Sequence, residues 1–200
     1  MYHFFVEPHQ IGAEEIRIEG EDVNHIRNVL RMKPGEEILI SSREGGDYFC
    51  RVEELEPEYV SAKILEEWEN KELPARIHLF QGLPKGDKME LIIQKAVELG
   101  AYRVVPVSMK RSVVKLDAKK ADAKRKRWNA VSESAAKQSK RSLIPEVAPL
   151  MTYKEAVKEA AGYDMVLLPY ESADGIRKTR ELLASVKPGT DIAVFIGPEG

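Results

Sequence analysis

The pattern of apolar and polar positions changes character near residue 72. Over residues 41–68 it has the short alternation of strands. Asp47-Tyr48-Phe49-Cys50-Arg51-Val52 is rich in strand formers and follows the turn signal Gly45-Gly46. Tyr59, Val60, Ala62, Ile64 and Leu65 form a second run after Pro57. Residues 22–31 break the alternation: Val23, Ile26, Val29 and Leu30 share one helix face, and Pro34-Gly35 ends that helix. One helix among several short strands predicts a small β-barrel-like domain over residues 1–72. Beyond the polar stretch 69–72, strand and helix patterns alternate. A strand at 76–81 precedes a helix whose stripe is Met89, Ile92, Ile93, Ala96 and Val97, closed by Gly100. A strand at 103–107 and a long polar helix at 119–140 follow. Next comes a short helix at 152–160, with Thr152 as cap and Glu155 as its capping-box partner. A strand at 165–168, a helix at 176–183 and a strand at 192–196 complete the series. Such alternation predicts an α/β domain over residues 73–200, with a mostly parallel sheet between helices.

Composition adds a compartment and a partner class. The chain has 200 residues, 43% hydrophobic and 32% charged, enough for a packed core under a polar surface. Its longest apolar runs are far short of a membrane span, and its first residues lack a signal pattern. A cytoplasmic protein with no membrane partner is expected. The single Cys50 cannot form an internal disulfide, which suits a reducing compartment, and its surroundings suggest a strand residue rather than a reactive thiol. The net charge of −2 conceals an asymmetry. Residues 1–72 carry 8 Lys/Arg against 18 Asp/Glu, a net −10, whereas residues 103–144 carry 13 against 3, a net +10. That predicts two folding units and a polyanionic partner for the basic one.

Five features bear on chemistry. Gly197-Pro198-Glu199-Gly200 follows the strand ending at Ile196, and Leu168-Pro169-Tyr170-Glu171 follows the strand at 165–168. In parallel sheets, ligands bind where loops leave the carboxyl ends of strands. Taken alone, the first is also a plain turn and the second an ordinary strand exit. The glycine-bearing loop 81–88 opens a helix and can offer Lys85 and Lys88 to an anion. It lacks the Gly-Lys-Ser/Thr of a P-loop, and Asp87 serves equally as a helix cap. The basic tract includes Lys110, Arg111, Lys115, Lys119, Lys120, Lys124, Arg125, Lys137 and Arg141, with Trp128 as a core anchor. A solvated helix face and a nucleic-acid surface both fit it. Ser132, Ser134, Gln138, Ser139 and Ser142 add groups able to touch sugar or phosphate. His25, Arg27 and Arg31 stand on one short element in an acidic domain, available for RNA or for neighbouring carboxylates. His3, His9, His25 and His78 lack metal-ligand spacing and no cysteine cluster exists, so no metal is expected.

In combination these motifs resemble one family. Residues 81–100 read QGLPKGDKMELIIQKAVELG. Arg111-Ser112-Val113-Val114-Lys115, Arg127-Trp128, Ser134-Ala135-Ala136-Lys137-Gln138-Ser139 with Arg141, and Ile144-Pro145 follow in order. Leu168-Pro169-Tyr170-Glu171 and Ile196-Gly197-Pro198-Glu199-Gly200 close the set, and residues 25–31, HIRNVLR, match near the start. The chain is similar along its whole length to the ribosomal RNA small subunit methyltransferase E family of the SPOUT superfamily. Asn24 departs from it, where a second histidine is common.

The resemblance implies an N-terminal PUA-like β-barrel and a C-terminal SPOUT-type α/β knotted methyltransferase domain. It implies a homodimer and transfer of methyl from S-adenosyl-L-methionine to N3 of a uridine in 16S rRNA of the small ribosomal subunit. Leu168, Pro169, Tyr170, Glu171, Ile196, Gly197, Pro198, Glu199 and Gly200 match cofactor-binding loops. It further implies a segment after Gly200 that threads the knot and completes the pocket. Glu199 is the candidate base or positioning group, and Arg27 or Arg31 from a second copy the candidate stabiliser of a uracil anion. His25, Arg27, Arg31, Lys85, Lys88, Arg111, Lys115, Lys124, Arg125, Lys137 and Arg141 are candidate RNA contacts. Two alternatives stand beside this: a non-catalytic RNA-binding module, and a nucleotide-binding protein using Lys85 and Lys88.

Overall fold

The computed structural model describes residues 1–43, 45–110, 116–169 and 177–198, apart from the side chain of Lys178. The chain forms two compact units: Met1–Glu72 with Ala136–Ile144, and Leu73–Ala135 with Pro145–Gly200.

The first unit holds strands β1 (Tyr2–Val6), β2 (Glu15–Glu19), β3 (Glu37–Ser42), β4 (Asp47–Leu55) and β5 (Tyr59–Trp68). They form one sheet in the order β1-β3-β4-β5-β2, antiparallel except that β1 runs parallel to β3. Strand β2 shows why: Ile16 and Ile18 point inward between exposed Glu15, Arg17 and Glu19. Phe4 and Val6 of β1 share one core with Ile16 and Ile18 of β2, although these strands are opposite edges of the sheet. The sheet therefore curls around that core in the manner of a barrel. Each large aliphatic side chain fully buried there contributes roughly 1.5–3 kcal/mol relative to exposure.

The helix expected over residues 22–31 is α1 (Glu21–Asn24), continued by a π turn at His25–Val29. The Leu30 N–H bonds the His25 carbonyl, five residues back. The wider turn changes which residues face inward. Val23 and Ile26 are buried and Leu30 packs on the core, but Val29 is 61% exposed rather than part of the stripe. The helix closes with the Met32 N–H on the Ile26 carbonyl and Arg31 left-handed at φ 54°.

The second unit contains β6 (Arg76–Gly82), α2 (Lys88–Glu98), β7 (Arg103–Ser108) and most of α3 (Ala118–Ser139). It continues with β8 (Glu146–Val147), β9 (Met151–Thr152), α4 (Tyr153–Ala160), β10 (Met165–Leu167), α5 (Arg177–Ala184) and β11 (Asp191–Ile196). Sheet order is β10-β11-β6-β7-β8, β9 also pairs with β7, and every pairing is parallel. Met89, Ile93 and Val97 form the buried stripe of α2. Gly100, at φ 96°, ends it in a conformation other residues resist, and the Ala101 N–H closes on the Ala96 carbonyl. In α4 the expected capping box is present, with Thr152 Oγ1 accepting from the Glu155 N–H and the Thr152 N–H donating to Glu155. Phe80 and Phe195 stack at 4.6 Å on the sheet face that Ala156 and Ala160 of α4 cover.

Two-residue strands such as β8 are too short to show a period. An α3 side chain helps hold β8: Asn129 accepts from the Val147 N–H and donates to the Val147 carbonyl, both at 3.0 Å. Among the described residues, no helix is long and apolar enough to cross a membrane.

Candidate functional site

Strands β10 and β11 are parallel neighbours, with Leu167 opposite Val194. Leu168-Pro169 and Gly197-Pro198 therefore leave the sheet at the same end, on adjacent strands. Leu168 is 71% exposed and Ile196 37%, an unusual apolar lip for a strand exit. Next to β11 lies β6, with Gln81 opposite Ile196. Three carboxyl ends lie in a row there, with exposed apolar side chains and backbone groups no longer committed to a ladder, and in parallel sheets such ends are where ligands bind. Tyr170, Glu171, Glu199 and Gly200 lie outside the described residues.

The other end of the same strands carries a polar clamp that sequence reasoning missed. Asp191 accepts from Arg76 Nε at 2.7 Å and Nη2 at 2.5 Å, and pairs with His78 Nε2 at 2.9 Å. The Arg76 guanidinium, helped by His78, holds the Asp191 carboxyl down at about 2 despite its partial burial. The Tyr163 ring lies tilted beside His78, centroids 4.5 Å apart, and its hydroxyl donates to Glu159. This clamp joins β6 to β11 and sets the register in which Gly197 emerges; sequence gives no signal for a pair 115 residues apart.

Some candidate RNA contacts are open to solvent. His25 and Arg31 are exposed and Arg27 half-buried on the helical turn of the first unit. Neither Arg27 nor Arg31 forms an ion pair among the described residues. π turns recur at functional sites, where the bulge re-aims side chains. In the second unit, Lys85 is exposed before α2 and Lys88 exposed at its first position, and Gly86, at φ 70°, makes the turn. Asp87 occupies the cap position without a side-chain cap bond. Lys124 and Arg125 are half-buried on α3. Arg111 and Lys115 lie outside the described residues.

Other basic and polar positions are committed to the fold. Arg141, in the first unit, is buried and donates through Nε and Nη2 to Glu72, so its charge is spent inside the unit rather than offered to RNA. Lys137 is partly buried against Asp22, at 3.2 Å. Ser132 is fully buried and donates to the Pro145 carbonyl at 2.5 Å. The Ser142 N–H bonds Glu72 at 2.8 Å. Trp128 is buried, as its place in a polar helix predicted. Cys50 is buried in β4, and burial pushes its thiol up to about 12, which leaves it protonated and unreactive. Among the described residues, no group of three or more His, Cys, Asp and Glu could hold a metal ion.

His3, Ser41 and Asp47 form a buried polar chain in the first unit. His3 Nε2 lies 2.8 Å from Ser41 Oγ, whose hydroxyl donates to Asp47. That hydroxyl has one proton and directs it at Asp47, so the chain is not wired as a Ser-His nucleophile, in which serine donates to histidine.

Comparison with known proteins bears on the family. Residues 71–200 match the family described as the RNA methyltransferase domain, and residues 18–65 the RNA methyltransferase PUA domain. Ribosomal RNA small subunit methyltransferase E of Bacillus subtilis is 37% identical over 100% of this chain and 81% of its own length. The protein of that name from Aquifex aeolicus is 30% identical over 99% of this chain and 82% of its own. The crystal structure of ribosomal RNA small subunit methyltransferase E from Neisseria gonorrhoeae, bound to S-adenosyl methionine, superposes with a TM-score of 0.77 at 29% identity. It covers 98% of this chain and 79% of that one. A curled RNA-binding-type sheet and a parallel α/β unit, matched in sequence from end to end, place this chain in the ribosomal RNA small subunit methyltransferase E family.

Proposed function

We propose that the chain transfers the methyl group of S-adenosyl-L-methionine to N3 of a uridine in 16S rRNA of the small ribosomal subunit, acting in the cytoplasm as a homodimer. The observation that carries this is the side-by-side exit of β10 and β11 beneath an exposed apolar lip. A nucleoside cofactor needs apolar surface for its base and backbone groups for its polar edges. Leu168, Pro169 and Ile196 suit the first need, and chain leaving two parallel strands suits the second, so the residues present fit the group. The cofactor bound to the Neisseria gonorrhoeae relative supports the same choice.

When bound, the cofactor supplies a methyl group activated by its positive sulfur. The remaining tasks fall to the chain. Uracil N3 carries a proton, and transfer needs the lone pair beneath it. Glu199, directly after Pro198, takes that proton or orients the base. Arg27 or Arg31 from a second copy stabilises the negative charge that develops on the uracil. His25, Lys85, Lys88, Lys124 and Arg125, with Arg111 and Lys115, would hold phosphates and so orient the uridine. Lys137 and Arg141 are left out of this set because of their pairing with Asp22 and Glu72.

The test is methylation of small subunits lacking the modification, with labelled cofactor, followed by digestion to nucleosides and mass spectrometry. The label is expected in 3-methyluridine; label in any other nucleoside overturns the assignment. Glu199→Gln is expected to slow methylation by about 100-fold or more with cofactor affinity intact. Unchanged turnover removes Glu199 from the mechanism.

A further inference from the structure

The backbone ladder between β11 and β6 ends at Ile196 and Gln81. Two residues beyond the end of β11 is Pro198, which has no N–H and cannot extend the ladder. At that open end sits Gln81, only 4% exposed. Its Nε2 donates to the Gly82 carbonyl at 2.9 Å and to the Gly197 carbonyl at 3.1 Å. Both partners are acceptors, so the NH2 end of the amide must face them. A second contact ties the same turn down. A Cβ on Gly82 would lie 2.7 Å from Pro198 N, 2.8 Å from Pro198 Cδ and 2.9 Å from Met109 Sδ. Only glycine lets the backbone of β6 lie this close to the Gly197-Pro198 turn.

The geometry points to Gln81 and Gly82 as positioning residues for the cofactor: a side-chain amide and a missing side chain that together pin the Gly197-Pro198 turn where the ladder has run out. This rests on the proposed function in one respect, that the turn borders the cofactor. It gives Gln81-Gly82 a task distinct from the anion-binding loop that the glycine-bearing sequence 81–88 suggests. A pinned turn presents its backbone groups in one arrangement before the ligand arrives, so less ordering is left for binding. Gln81 touches the turn and not the reacting atoms, so its loss should weaken cofactor binding and leave the chemical step alone.

The test uses the full chain with Gln81→Leu and Gln81→Glu, each first checked by thermal melting for a folded state. Leucine removes the donor; glutamate turns a carboxylate toward two carbonyl oxygens. Losing one buried hydrogen bond predicts a rise of about tenfold in KM for S-adenosylmethionine. Both kcat at saturating cofactor and KM for the RNA stay within about twofold, a split that general destabilisation would not produce. Gly82→Ala should act in the same direction. Equal KM values, or a loss confined to kcat, overturn the proposal. Hydrogen–deuterium exchange of residues 191–200 without cofactor gives a second readout, expected faster in both Gln81 variants. If the wild-type chain has no affinity for S-adenosylmethionine, the functional assignment fails, and unchanged exchange in the variants then sinks the pin on its own.

Discussion

Replacing Glu72 by glutamine should unfold the first unit more than any surface change of similar size. The Glu72 and Arg141 side chains are 13% and 8% exposed, so this is a buried ion pair. Arg141 Nε reaches both carboxylate oxygens at 2.9 Å, Nη2 adds another bond, and the Ser142 N–H donates at 2.8 Å. Glutamine keeps the shape but removes the charge, leaving a guanidinium buried without its counter-ion. Breaking such a pair from one side costs about 3–5 kcal/mol, out of a total stability of about 5–15. The folded-to-unfolded ratio falls by roughly two to three and a half powers of ten. Urea unfolding followed by circular dichroism measures the loss. Arg141→Met alone should cost a similar amount, and Glu72→Met with Arg141→Met should recover to within about 1 kcal/mol of wild type, because both charges are gone. A single-variant loss below about 1 kcal/mol, or a double variant whose loss is the sum of the singles, would refute the reasoning.

Burial, then Lys137 and Lys140, push the His3 imidazole down to about 4. The folded state thus keeps His3 neutral while the unfolded chain binds a proton near 6.5. Its contribution is fully present above about 6.5 and is lost as pH falls toward about 4. Stability measured at pH 7 and pH 5 should show a fall that His3→Gln flattens; an unchanged slope in the variant discards the cause. Lys124→Ala with Arg125→Ala should weaken RNA binding across sequences and reduce the slope of log affinity against log salt by about two, one for each phosphate contact. An unaltered slope would take α3 out of the RNA surface.

Much of the fold was legible because it is written in short-range periods. Of the expected stripe Met89, Ile92, Ile93, Ala96 and Val97, the structure buries Met89, Ile93 and Val97 and leaves Ile92 and Ala96 half-buried; the cap at Gly100 and the capping box of Thr152 and Glu155 appear where the pattern put them, because they depend on neighbours within a few residues. The same holds for the two strand exits, since an apolar run followed by Pro169 or by Gly197-Pro198 marks a strand end wherever it lies. Val29 shows the limit: the stripe assumed an α-helical turn, and a π turn rotated it into solvent. Arg141 shows another. In sequence it is one cation in a basic tract; in space Glu72, 69 residues away, neutralises it.

By itself the chain's sequence determined most of the longer elements, the buried stripe of α2 and a combination of motifs specific enough to name a family, but it drew one boundary near residue 72 and gave no sign that Ala136–Ile144 pack with the first unit. It did not determine which strands become neighbours. The insertion of β11 between β10 and β6, the curl that puts both edges of the first sheet on one core, and the pairing of Asp191 with Arg76 and His78 were decided only by tertiary structure. The physical reason is range. Backbone hydrogen bonding and side-chain period act over a turn or a pleat and repeat along the chain. Strand neighbours and ion-pair partners are selected by packing among segments that sequence distance does not relate.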